Sequence, residues 1–307
     1  MRASARLAVE RRSGPTGRTR ISRLRSDAPL ILRPTNPVRP EPMQRWNIQG
    51  PGTTRVSLAA GAAGPIGGDH LRLDIEVGPG AALILRTVAA SLLLPGPHGR
   101  PSSSEVAARV AAGGTLVWLP EPVIAARGCD HRAATRISLE PGARLLLREE
   151  LLLGRHGEQP GTVHQRLRVT VGDGPLHDQE LHLGPRAPGW DGPAVTGGRR
   201  ALGSLLLVDP DGAPPIADRL PRAGVDASGA AASGAALMPL TGPAVLLTAL
   251  ADEALTLRRQ IDSALAVLDH APPPAGATVG AGTRSMPRSR GQAHAAAMGR
   301  GQPGKFS

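Results

Sequence analysis

The chain has 307 residues, 40% of them hydrophobic, enough for the core of one large all-β domain or two modest ones. Tyrosine is absent and phenylalanine occurs once, so burial must come from Leu, Val, Ile and Ala, and the aromatic platforms that bind sugars and single-stranded nucleic acids are missing. A formal charge of +11 allows an acidic partner, while a lone Cys129 excludes an internal disulfide framework and any multi-cysteine zinc site and favours a reducing compartment.

The N-terminus, MRASARLAVERRSGPTGRTR, is basic but lacks the apolar stretch of a secretory leader. Arginines crowd residues 11–25 and again 284–292, while the middle is mixed in sign. No helix-turn-helix, zinc-finger or RRM pattern accompanies them, so solvated basic ends are expected and specific nucleic-acid binding is not.

Residues 64–87, GPIGGDHLRLDIEVGPGAALILRT, place Asp69 and His70 after two glycines at the head of an alternating strand. Leu71, Leu73, Ile75 and Val77 fall on one face, and Arg72, Asp74 and Glu76 on the other. The pattern of strand, glycine corner and strand recurs at 105–121, at 134–150 and more loosely at 166–183. A period of about 30 residues implies stacked supersecondary units. The expectation is a mainly β fold, either an elongated β-solenoid or a layered β-sandwich, which periodicity alone does not separate.

The segment HDQELH puts His177 on one strand face and Asp178, Glu180 and His182 on the other. Imidazole and carboxylate together suit nickel or zinc, so these four are candidate metal ligands, against the simpler reading of a solvated strand face. After residue 184 come a Gly/Pro-rich loop, a buried strand beginning ALGSLLLVDP, and a stretch of little information at 209–235. Leu246, Leu250, Ala254, Leu257, Ile261, Leu265 and Leu268 recur at spacings of three and four, predicting a helix over about 244–269. The charge-free run 227–251 is rich in Gly, Ala and Ser and broken by prolines, so no membrane span is expected. A single β-rich domain over 1–270 and a disordered basic tail over 271–307 complete the predicted organisation.

No G-x-S-x-G, P-loop, H-E-x-x-H or G-x-G-x-x-G signature is present, and the only lysine is Lys305. The ordered set GGDHLRLDIEVGPGAALILRT, GGTLVWLPEPVIAARGC and ISLEPGARLLLREELLLGRHGE resembles the UreD family of urease accessory proteins, also called UreH, over residues 5–210. That resemblance implies a β-rich, non-enzymatic scaffold of the cytoplasm. Such a scaffold binds apo-urease, UreF and the GTPase UreG and helps deliver nickel, with no tightly bound cofactor and nickel held only transiently. It makes Asp69, His70, Glu121, Glu149, Arg155 and Glu158 candidates for a partner surface or nickel path. Asp69 equally suits a turn carboxylate bonding local amides, and Arg155 suits ordering its own turn through carbonyl bonds. The segment RTVAASLLLPG lacks the second Thr and the Lys that many family members carry there, so no role of that lysine transfers. The competing reading is a β-solenoid enzyme acting on a saccharide or small metabolite, which would be expected to show paired acids in an aromatic-lined groove.

Overall fold

The computed structural model describes residues 1–14, 17–36, 41–48, 52–211 and 234–270, all within one unit spanning residues 1–275. The predicted tail from residue 271 and most of the 209–235 stretch lie outside the described residues.

The strands, in chain order, are β1 (Arg2–Arg11), β2 (Thr19–Ser26), β3 (Leu30–Pro34), β4 (Thr54–Ala60), β5 (His70–Val77), β6 (Ala82–Thr87), β7 (Ser91–Leu93) and β8 (Ser102–Val110). They continue with β9 (Thr115–Leu119), β10 (Val123–Ala125), β11 (Asp130–Leu139), β12 (Arg144–Leu153), β13 (Thr162–Val171), β14 (Gly174–Leu183), β15 (Ala201–Val208), β16 (Ala235–Pro239) and β17 (Ala244–Ala251). One helix, α1 (Ala254–His270), follows.

These strands build two sheets. The first runs β14-β13-β11-β8-β5-β1-β2, and the second runs β16-β17-β15-β12-β9-β6-β4-β3, with β10 joining β12 to β7. Successive passes stack in parallel: β5 on β8, β8 on β11 and β11 on β13 in the first sheet, and β4 on β6, β6 on β9 and β9 on β12 in the second. This is a β-solenoid-like stack, which decides between the two predicted architectures. Antiparallel hairpins, β1 with β2 and β13 with β14, close both ends of the first sheet.

The predicted corners carry the chain from the first sheet to the second. Gly80, Gly113 and Gly142 all take positive φ, which a Cβ would strain, and they stack as a column in which the Gly113 amide donates to the Gly142 carbonyl at 3.2 Å. The fourth, looser repeat differs. Its GDGP segment closes a tight hairpin within the first sheet, because Gly172 and Asp173 fill a two-residue loop that reverses the chain instead of turning it across the layer.

The inward residues of both sheets, among them Leu73, Ile75, Leu83, Leu85, Leu116, Leu145 and Leu147, form the core between the layers. The second sheet is apolar on its outer face as well, where Ile84, Val117, Leu146, Leu205 and Leu247 lie under Leu257, Ile261 and Leu268 of α1 and under Met43 and Ile48. Each buried leucine contributes about 1.5–3 kcal/mol, so a sheet buried on both faces holds its helix firmly.

The helix starts later than its spacing predicts. Residues 244–251 are β17, and α1 begins at Ala254. The run AVLLTALA is covered on both faces, so its strand alternation is masked by continuous hydrophobicity, and Leu246 and Leu250 mimic the helical period. Among the described residues no helix is long and apolar enough to cross a membrane.

Candidate functional site

The strand RLLLREELLL shows how the sequence distributes its polar groups. In β12, Leu145, Leu147, Glu149, Leu151 and Leu153 share one parity, and Leu146, Arg148, Glu150 and Leu152 share the other. Glu149 therefore turns with the leucines into the space between the sheets. There Thr135 Oγ1 of β11 donates to its Oε1 at 3.2 Å and Gln165 Nε2 of β13 donates to its Oε2 at 2.9 Å. No cation among the described residues forms an ion pair with it. Burial pushes this carboxyl above the usual carboxylate range, and the two hydrogen bonds only partly oppose that. The indole Nε1 of Trp118, also buried between the sheets, lacks a hydrogen-bond partner, as does Nε2 of half-buried His177.

Arg148 and Glu150 point the other way, beneath α1. Glu150 lies 2.9 Å from Arg148 Nε and receives Arg258 Nε at 3.0 Å, while Glu121 receives Arg258 at 3.0 Å and meets Arg148 at 3.4 Å. Arg148 also donates to the Pro120 carbonyl at 3.0 Å. Glu121 thus belongs to the clamp that fixes α1 to the second sheet. Truncating one member of such a set leaves a buried charge uncompensated.

Asp69 sits in a turn. Its Oδ2 accepts from the Ile66 amide at 2.9 Å and its Oδ1 from the Met1 ammonium at 2.8 Å, while its own amide donates back to the Ile66 carbonyl. Burial raises its pKa, but the ammonium, the Ile66 amide and the nearby positive charges outweigh that and hold it below the ordinary value. His70, one residue on, faces outward, with Nδ1 2.8 Å from Ser103 Oγ.

Arg155 and Glu158 form one turn through a bidentate pair at 2.8 and 2.7 Å. The Arg155 guanidinium, against the opposing pull of burial, draws Glu158 down to about 2. Arg155 orders its turn through this carboxylate and not through carbonyls, which instead receive Arg200. Asp69 and the Arg155–Glu158 turn precede β5 and β13, which lie three strand spacings apart in the first sheet, about 14 Å. The six candidates therefore form four separate groups.

The four residues of β14 are not one ligand set. His177 faces inward, where burial lowers its pKa, whereas Asp178, Glu180 and His182 face outward. Arg166 engages Asp178 at 2.9 and 3.0 Å, and His164 meets Glu180 at 2.7 Å. Among the described residues no three His, Cys, Asp or Glu side chains are grouped so as to hold a metal ion. The strand period already separates His177 from the other three, and the antiparallel register of β13 supplies the arginine that competes for them.

Thr135, Gln165, Arg148 and Glu150 are the polar groups that local motifs do not single out. One signal was available for the first two, namely a glutamate on the buried parity of an otherwise leucine strand, which demands donors from the opposite layer.

Residues 1–277 match the family described as UreD urease accessory protein. The chain belongs to this family. A Frankia alni protein named urease accessory protein UreD is 48% identical over 283 residues, covering 85% of this chain and 91% of the relative. Relatives of the same name from Frankia casuarinae and Streptomyces avermitilis are 44% and 43% identical, covering 85% and 87% of this chain and 88% and 98% of their own lengths. The two-layer stack with its interior carboxyl lies within the region matched to the family.

Proposed function

We propose that the chain is a non-catalytic scaffold of urease maturation that assembles with apo-urease, UreF and UreG and assists delivery of nickel as cargo. Family membership supports the urease connection. The observation that carries the nickel role is Glu149, a carboxyl between the two layers with hydroxyl and amide neighbours and no cation paired to it. A divalent ion approaching it competes with the proton that burial favours, and hard oxygen donors bind nickel weakly enough to release it again. Asp69 is a poorer candidate, since the Ile66 amide and the Met1 ammonium already occupy its carboxylate.

Glu149→Gln keeps the shape; its amide oxygen can still accept from Gln165, and its NH2 can donate to the Thr135 hydroxyl. The variant, co-expressed with urease and the other accessory proteins, is expected to lower urease nickel content about tenfold, measured by elemental analysis, with the melting temperature of the accessory protein unchanged or raised. Full nickel loading with the variant overturns the role assigned to Glu149.

A further inference from the structure

The two sheets present different outer faces. That of the second is covered by α1 and the segment around Met43, whereas among the described residues nothing packs on that of the first. Its outward positions are charged, and they divide into paired and unpaired groups. Arg72 is held by Asp74 and Glu105 near one end, and Arg166 by Asp178 and Glu180 near the other. Between them, Arg109 of β8 and Arg132 and Arg136 of β11 are exposed and have no ion-pair partner among the described residues. Ala107 and Ala134 form the low floor of this stripe; the acids beside them in the register, Asp74 and Glu105, are held by Arg72, and β11 itself contributes no acidic side chain beyond Asp130 at its start, which Arg186 engages.

Arg136 lies directly beside Arg168, and on the same row Arg6 lies directly beside Arg25. Like charges opposite one another destabilise a sheet; Arg6, Arg25 and Arg168 are offset by Asp74, Asp27 and Asp178 at 3.6, 3.6 and 3.8 Å, whereas Arg136 has no carboxylate partner among the described residues. A local conflict of this kind marks a surface built for something outside the chain.

We infer that the β8–β11–β13 stripe of the first sheet docks the acidic face of a protein partner, with carboxylates seated over Ala107 and Ala134 against Arg109, Arg132, Arg136 and Arg168. The strand spacing sets the backbones of Arg136 and Arg168 about 4.8 Å apart across the sheet, Arg109 lies two residues further along, between Glu76 and Ser138, and Arg132 and Arg136 stand about 13 Å apart along β11. A flat array of that pitch meets side-chain carboxylates from one protein surface. The interspersed Asp74, Glu105, Asp178 and Glu180 repel a polynucleotide backbone of uniform charge but complement a protein of mixed sign, and the strands of this face carry no Phe, Tyr or Trp for bases to stack on. The partner's identity rests on the maturation reading above; the face's chemistry does not.

The test compares the unaltered chain, the triple variant Arg109→Glu/Arg132→Glu/Arg136→Glu, and a control of equal charge change, Arg12→Glu/Arg33→Glu/Arg259→Glu. Each is titrated with poly-L-glutamate, with short duplex DNA, and with apo-urease, UreF and UreG one at a time. The expected result is that the triple variant binds poly-L-glutamate and at least one of the three proteins about tenfold or more weakly than the control does. A milder variant, Arg136→Gln, guards against misfolding. It should melt no lower than the unaltered chain, since it relieves the contact with Arg168, yet bind the same protein more weakly. If the unaltered chain binds poly-L-glutamate through this face but none of the three proteins, the maturation reading fails and the face stands. Equal binding by the triple variant and the control, or duplex DNA as the only ligand lost, overturns the docking face.

Discussion

A single imidazole shows how position sets chemistry. His131 in β11 is 2% exposed, with Nδ1 2.8 Å from Ser102 Oγ, and burial pushes it down to about 4. Between that value and the ordinary 6.5 the unfolded chain takes up a proton that the folded chain refuses. Stability from this group is therefore complete above about pH 6.5 and is lost as pH falls toward 4, by about 3 kcal/mol in all. Urea denaturation of the unaltered chain at pH 7 and pH 5 should show about 2 kcal/mol of that loss, and His131→Asn should flatten it; an unchanged slope in the variant would assign the effect elsewhere. Cys129, two residues earlier, is similarly insulated, its thiol pushed up to about 11 by burial with help from Asp130 and Glu158. Neither property was legible in CDH read alone, because whether these groups lie inside or outside depends on a register set by strands 29 and 32 residues away. The parity of Glu149 was legible in RLLLREELLL, whereas its donors, contributed by two strands of the other layer, were not.

Among the elements, α1 depends on one small residue. A Cβ at Gly203 of β15 would stand 2.6 Å from Ile261 Cδ1 and 3.1 Å from Leu257 Cδ1, both on fully buried side chains. Alanine is the better strand residue in isolation, by about 0.5–1 kcal/mol, but overpacking a filled interface costs about 1–3 kcal/mol and wins. Gly203→Ala should therefore lift α1, lower the melting temperature and open the helix to proteolysis, as Arg258 is drawn away from Glu150 and Glu121. An unshifted cleavage pattern would mean that the helix can slide without cost. The helix itself was readable from its spacing; its start was not, since a strand covered on both sides and the first turns of an amphipathic helix present the same apolar run. The glycine corners were the most legible elements, because positive φ leaves a mark at a fixed place in each repeat.

At the scale of the whole described fold, the stack has to end without inviting another chain onto its edges. β14 and β2 close the first sheet, and both are dense in charge: Asp178, Glu180 and His182 on one, Arg20, Arg23 and Arg25 on the other. Charges along an edge strand deter pairing with a second molecule. Asp178→Val with Glu180→Val should produce concentration-dependent self-association in sedimentation velocity while circular dichroism stays unchanged; a monodisperse variant would show that the hairpin geometry alone protects the edge. The stacked-repeat architecture was legible in the period of the sequence; the difference between the faces is carried by strands such as TLVWL, apolar throughout, against HLRLDIEV, which alternates, but which elements cover the second sheet was not legible, since α1 and the Met43 segment come from distant parts of the chain. The strand order also dictates a schedule. β1 precedes the other described strands, yet it pairs in parallel with β5, Arg2 beside His70, and the Met1 amino group reaches Asp69. Emerging from the ribosome, β1 can meet only β2 until the GGDH corner has been synthesised, so the earliest strand completes its pairing after later ones exist, and an arrest before residue 77 leaves it with one open flank.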